Sequence, residues 1–107
     1  MKQIINHFQT PLTFNELFQE YLEIMSHTMS DKTKQTKIYY YNKHFKDKYG
    51  NYIITDFRFK DAQRFVNELL NKGLSPKTTK NIIDIFKVLY KYAIMNEYCE
   101  KNPFEYV

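Results

Sequence analysis

The chain has 107 residues, 43% of them hydrophobic, with nine Phe and ten Tyr but only two Gly and three Pro. That length fits one domain with a real apolar core, and the scarcity of Gly and Pro argues against the tight turns of an all-β fold and for an all-α one. The formal net charge is +4, a single Cys cannot form an intramolecular disulfide, and no segment approaches a signal peptide or the roughly 20 apolar residues of a membrane span, so a cytoplasmic protein without a membrane partner is expected.

Residues 1–11 read as a tail. Thr13 followed by Glu16 is a capping-box pattern, and Phe14, Leu17, Phe18, Tyr21, Leu22 and Met25 trace one apolar face, which predicts a first helix from about Phe14 to His27. Glu16, Glu20 and Glu23 fall on its outer face, where they would repel an anion. Ser30 or Asp31 can cap a second helix reaching about Lys48, with Ile38, Tyr41, Phe45 and Tyr49 inward and Gly50 available for a left-handed exit. From Met1 to Ser30 one Lys faces three Glu, whereas from Asp31 to Tyr49 six Lys face two Asp, so the second segment holds the positive field.

Tyr52, Ile53 and Ile54 in a row would suit a short strand, but a lone strand has no partner, and a buried connector is expected over Asn51–Phe57. A third helix from about Phe59 to Asn71 turns Ala62, Phe65, Val66, Leu69 and Leu70 inward and stops at Gly73. Ser75 as cap and Pro76 at the first helical position open the longest helix, which runs to about Glu97 before Asn102-Pro103 blocks further helix. Its apolar face carries Ile82, Ile83, Phe86, Leu89, Tyr90, Ala93 and Ile94. Ile85, Val88 and Tyr92 lie off that face, so contact on two sides is expected, by the other helices or by a further domain. Four helices joined by short links make a compact four-helix bundle.

The second and fourth helices open alike, Ser30-Asp31-Lys32-Thr33 and Ser75-Pro76-Lys77-Thr78. Each start places a cap, a lysine and a hydroxyl where free amides and the helix dipole already favour an anion, although two capped helices can share first-turn residues by convergence alone. On a helical wheel Lys32, Thr36, Tyr40 and Lys43 lie opposite the apolar face of the second helix, with Thr33, Lys37 and His44 beside them. The outward residues of the fourth are Lys77, Lys80, Asn81 and Lys87, with Lys91 extending the stripe.

The segment GLSPKTTKNIIDIFKVLYKYAIMNEYCEKNP, with Thr13-Phe14 opening the first helix and Ile54-Thr55-Asp56 before the third, resembles the SAM-like core-binding domain of tyrosine recombinases, the phage-integrase family, over roughly Leu12 to Pro103. The resemblance implies a core-type DNA-binding domain over 12–103, with 1–11 a tail or the remnant of a linker from an arm-binding domain. Residues 104–107 would then begin a linker to a catalytic domain. It implies double-stranded DNA as partner, read during integration or excision of a phage or mobile element, with the second and fourth helices against the major groove. The parent's catalytic domain and neighbouring recombinase protomers are the further partners implied. On this reading Lys32, Thr33, Thr36, Lys37, Tyr40 and Lys43, with Lys77, Thr78, Lys80, Asn81 and Lys87, form the DNA-binding set. Lys and Thr donate to phosphate, and Asn81 suits a bidentate contact to an adenine edge.

The run Tyr39-Tyr40-Tyr41 invites a nucleophile reading, because the family attacks DNA phosphate with a tyrosine. The resemblance puts that tyrosine in a separate domain, beside two Arg and a His-x-x-Arg cluster; here only Arg58 and Arg64 occur, and His44 is followed by Phe-Lys-Asp. Tyr41 is expected in the core, and Tyr39 and Tyr40 at the surface or on phosphate. His7, His27 and His44 lack metal-ligand spacing and no Gly-rich phosphate loop is present, so neither metal, cofactor nor catalysis by this chain alone is expected. Two other classes fit a small basic helical chain. A helix-turn-helix regulator would use the turn Lys72–Ser75, but the helix after it is long for a recognition helix. A protein-interaction module would present Ile85, Val88 and Tyr92.

Overall fold

Five helices supply the regular structure of residues 11–107, the part described by the computed structural model: α1 Phe14–Met25, α2 Asp31–His44, α3 Lys46–Tyr49, α4 Phe59–Asn71 and α5 Pro76–Met95. Single 3-10 turns occupy Ser26–Thr28 and Ile54–Asp56. The predicted tail, Pro11 apart, lies outside the described residues, as does His7.

The helix starts follow local hydrogen-bond chemistry. Thr13 Oγ1 accepts from the Glu16 amide at 3.2 Å while Glu16 Oε1 accepts from the Thr13 amide at 2.9 Å, a complete capping box. The amides of Phe14 and Asn15, which no turn of α1 can satisfy, donate to the carbonyls of Tyr52 and Gly50 at 3.1 and 3.0 Å. The Ile54 amide donates to Leu12 at 2.9 Å, and Thr13 and Ile53 form an isolated antiparallel bridge. The connector is thus stitched to the start of α1, with Ile54 buried and Tyr52 partly exposed.

Two expectations about the second helix change. It does not run unbroken to Lys48: the backbone breaks at Phe45 (φ −123°) and resumes as the single turn α3. Gly50 is right-handed, with φ −58°, so a left-handed exit is not why glycine stands there. The reason is space, since a Cβ would come 2.6 Å from both Asn15 Oδ1 and the Lys46 carbonyl oxygen. Gly73 does adopt the left-handed conformation, at φ +88°. Its amide donates to Leu70 O and the Leu74 amide to Leu69 O, which makes a Schellman stop for α4. The same bond pattern ends α5, where Glu97 takes the left-handed position at φ +63°.

The core is a cluster of aromatic rings. Phe45 lies 4.8 Å from Phe14, 5.1 Å from Phe65 and 4.2 Å from Phe86 between ring centroids, joining α1, α4 and α5. Leu70, predicted inward, is 46% exposed because Leu69 takes the inward position at the end of α4, and Val66 and Ile94 are only half-buried. Ile85 and Tyr92 are 7% and 6% exposed. They are covered within the domain, Tyr92 by α1, where its ring meets Tyr21 at 5.4 Å and its hydroxyl donates to Glu20 at 2.7 Å. Glu20 also accepts from Tyr98 at 2.8 Å, so it is an acceptor between two phenols and not an outward repelling charge.

The core also continues past Pro103. Phe104, expected to begin a linker, is 0% exposed and packs on Phe57, Phe86 and Tyr90. Asn102 holds it there, its Oδ1 accepting from the Phe104 amide at 3.0 Å and its Nδ2 donating to Lys87 O at 3.2 Å. Phe104→Ala should therefore lower unfolding free energy by about 3–5 kcal/mol in a denaturant titration. A loss below about 1 kcal/mol would show that the ring is not part of the core.

Candidate nucleic-acid interface

The lysine-bearing start of α2 meets the second turn of α5 at one cleft. It is about 330 Å³ in volume and is bordered by Lys32, Thr33, Thr36, Lys37 and Tyr40 of α2 and by Asn81 and Ile85 of α5. On α2 these residues form a stripe at three- and four-residue spacing, and on α5 Asn81 and Ile85 lie one turn apart. Six of the residues expected to touch DNA are brought together here.

The shared opening sequence gives shared geometry. Ser30 Oγ accepts from the Thr33 amide at 3.1 Å and donates to Thr33 Oγ1 at 3.0 Å. Ser75 does the same with Thr78, at 3.1 Å for both bonds. In each case the threonine oxygen is used as an acceptor, which leaves its own hydrogen to donate outward. Both helix starts are capped by serine, and each carries an exposed lysine in its first turn, Lys32 and Lys77.

Charge in the cleft is not uniform. Lys37 is half-buried, with its ammonium 5.9 Å from the centre of the Tyr21 ring. Burial pushes its pKa below the usual lysine value, and the nearby Asp84 carboxylate pulls it partly back. Asp84 also binds Lys80 Nζ at 3.1 Å, one turn apart on α5, so Lys80 has an intramolecular counterion that a phosphate would have to displace. The pair is exposed and worth only a few tenths of a kcal/mol, ~0.3–0.5.

The other expected contacts fall outside the cleft. Thr78 is held in the cap, Lys77 projects from the first turn, and Lys87 is half-buried further along α5 with its carbonyl engaged by Asn102. Lys43 Nζ donates to Tyr39 Oη at 3.0 Å and lies over that ring. Tyr41 is in the core, where its hydroxyl donates to Asn15 Oδ1 at 2.6 Å, while Tyr39 is exposed and Tyr40 borders the cleft. Ile85 was not among the expected site residues. Its position one turn beyond Asn81 on the same stripe was the available signal, hidden because an isoleucine off the main apolar face reads as a second packing surface. Among the described residues no helix is long and apolar enough to cross a membrane.

Four long helices around an aromatic centre, two of them with serine-capped, lysine-bearing starts and together walling one cleft, define a small all-helical SAM-like domain. The chain belongs to the phage integrase N-terminal SAM-like domain family, whose model matches residues 13–70, more than half of its length. Its fold is similar to the solution structure of an integrase-like domain from Bacillus cereus, with a TM-score of 0.84 and 23% identity over 90% of this chain and 81% of that one. It is also similar to the Tn1549 transposon integrase in complex with a circular-intermediate DNA, with a TM-score of 0.75 and 26% identity. A second Tn1549 complex gives 0.79 and 24%. The chain spans only 30% of the Tn1549 integrase, with 90% of its own length covered. No curated protein matches the sequence.

The buried ammonium of Lys37 makes a testable demand on stability. Because folding lowers its pKa, the charged form costs stability below the folded pKa, and that cost is relieved as pH rises through it. Lys37→Met, which keeps the apolar stem, should melt at a higher temperature than the native protein at pH 7, and the difference should shrink toward the usual lysine value of 10.5. A lower melting temperature at pH 7 would mean that the Tyr21 ring and Asp84 outweigh burial.

Proposed function

We propose that this chain is the DNA-binding domain of a site-specific tyrosine recombinase, gripping duplex DNA at core-type sites through the cleft between α2 and α5. The observation that carries the proposal is the meeting of the serine-capped, lysine-bearing start of α2 with Asn81 of α5 at one cleft lined by hydroxyl, ammonium and amide groups, with a second serine-capped start bearing Lys77 on α5 outside it. Amides at such ends and the helix dipole favour phosphate, and lysine adds a full charge that needs no precise geometry. Lys32, Lys37, Lys77 and Lys80 serve the backbone, Thr33, Thr36, Thr78 and Tyr40 fix register by donating hydroxyl hydrogens, and Lys43 and Lys87 flank the track. Asn81 faces base edges. Family membership supports the reading, as does the likeness to an integrase held in a complex with DNA.

In the parent enzyme this piece positions the duplex, and strand cleavage belongs to a catalytic domain that follows it. The grip then precedes integration or excision in the cytoplasm, with neighbouring protomers on the same DNA. The boundary of the DNA-binding unit moves from Pro103 to at least Phe104, because that ring completes the core. Of the three side chains a protein-interaction module would present, Ile85 and Tyr92 are buried and Val88 alone is exposed, which weighs against that reading. The 20-residue length of α5 weighs against a helix-turn-helix recognition helix.

Fluorescence titration against duplex DNA at two salt concentrations tests the proposal. Affinity should fall as salt rises; Lys32→Ala and Lys77→Ala should each weaken binding about tenfold at low salt and each reduce the salt slope by about one. Asp84→Asn should tighten binding severalfold by freeing Lys80 and removing a negative charge beside Lys37. Binding that ignores salt, or an Asp84→Asn protein that binds more weakly, would remove phosphate from this cleft.

A further inference from the structure

We infer that the cleft reads an A·T base pair from the major groove, with the Asn81 amide on the adenine edge and Ile85 against the 5-methyl group of a thymine in that pair or the next. The inference rests on the proposed duplex grip and adds what the grip selects.

Asn81 and Ile85 are one turn apart on α5, so their side chains leave the helix about 5–6 Å from each other on one stripe. Both border the cleft. Among the described residues, the side-chain polar bonds at this end of α5 are those of Ser75 with Thr78 and of Lys80 with Asp84, and Asn81 takes part in none of them. An uncommitted carboxamide offers one donor and one acceptor side by side. Adenine presents the complement, N7 to accept from Asn81 Nδ2 and N6–H to donate to Asn81 Oδ1, whereas guanine presents acceptors at both places and would set O6 against the carboxamide oxygen.

Ile85 supplies the second half of the reading. Among the described residues it is the one aliphatic side chain bordering the cleft, and 7% of its surface is bare. In the major groove only thymine offers an apolar group, its 5-methyl, and cytosine offers hydrogen at the same carbon. Of the two lysines bordering the cleft, Lys37 has its ammonium near the Tyr21 ring and Lys32 is assigned above to the phosphate backbone, while Arg58 and Arg64 lie at α4, outside the cleft.

Selection of binding sites by the 107-residue chain from a pool of randomised duplexes, followed by base substitution in the enriched sequence, tests this. Enrichment should centre on at least one A·T pair, and Asn81→Ala should flatten it. Replacing the key thymine by uracil, which deletes only the methyl group, should weaken binding about fourfold. Replacing the paired adenine by 7-deazaadenine, which deletes only the N7 acceptor, should weaken it about tenfold. These DNA-side changes leave the protein untouched, so they do not depend on the folding of a variant. Salt-dependent binding with no base preference, or with a G·C preference, would overturn the inference and leave the duplex grip standing. An A·T preference indifferent to uracil, to 7-deazaadenine and to Asn81→Ala would move the reading to the minor groove and overturn it equally. Absence of any salt-dependent binding would remove the grip itself, and the base reading with it.

Discussion

Phe45 is held between Phe14 of α1, Phe65 of α4 and Phe86 of α5, with ring centroids 4.2–5.1 Å away, and the other long helices take their places relative to it. Edge-on and tilted contacts of this kind add about 0.5–1.5 kcal/mol each beyond simple burial and fix relative orientation as well as distance. The backbone break at Phe45 lets α2 end and α3 begin while the ring stays central. Because Phe86 sits one residue beyond Ile85, the contact that anchors α5 to α2 also sets the spacing of the two walls of the cleft.

On the proposed function the cleft sets fold against ligand. Burial partly strips the Lys37 ammonium of water, which disfavours its charge in the isolated fold, and Asp84 offsets part of that while also pairing with Lys80. In the proposed complex a neighbouring phosphate would take over that compensation, so residues that are mildly costly alone would become useful there. Asp84 also tempers the field, and a moderated field limits indiscriminate attachment to any polyanion.

What the sequence disclosed was what local chemistry decides. The span of α4, the caps at Thr13, Ser30 and Ser75, and the stop at Gly73 follow from which short side chain can reach which free amide, a matter settled within four residues. The grouping of Lys32, Thr33, Thr36, Lys37, Tyr40 and Asn81 was also legible, since outward stripes on two helices follow from periodicity once both helices are placed. The break at Phe45, the crowding around Gly50, the capture of Glu20 by two tyrosines and the burial of Phe104 each involve a partner from a distant part of the chain, Phe14, Asn15, Tyr92 and Phe57 in turn, for which one sequence carries no periodic signal.

Several phenols are built into this fold as donors: Tyr41 to Asn15, Tyr49 to Glu68, Tyr90 to the Ile54 carbonyl, and Tyr92 and Tyr98 to Glu20. Desolvation raises the pKa of each, and for Tyr49, Tyr92 and Tyr98 the adjacent carboxylate raises it further. Their stabilisation is complete below the ordinary tyrosine value of 10.0 and is lost as pH climbs through the higher folded values, because an unfolded chain releases protons there that the native one retains. Ionising any one would replace a donated hydrogen with a buried negative charge, in three cases beside another. A core of hydroxylated rings therefore carries an alkaline ceiling that an aliphatic core of the same volume would not have.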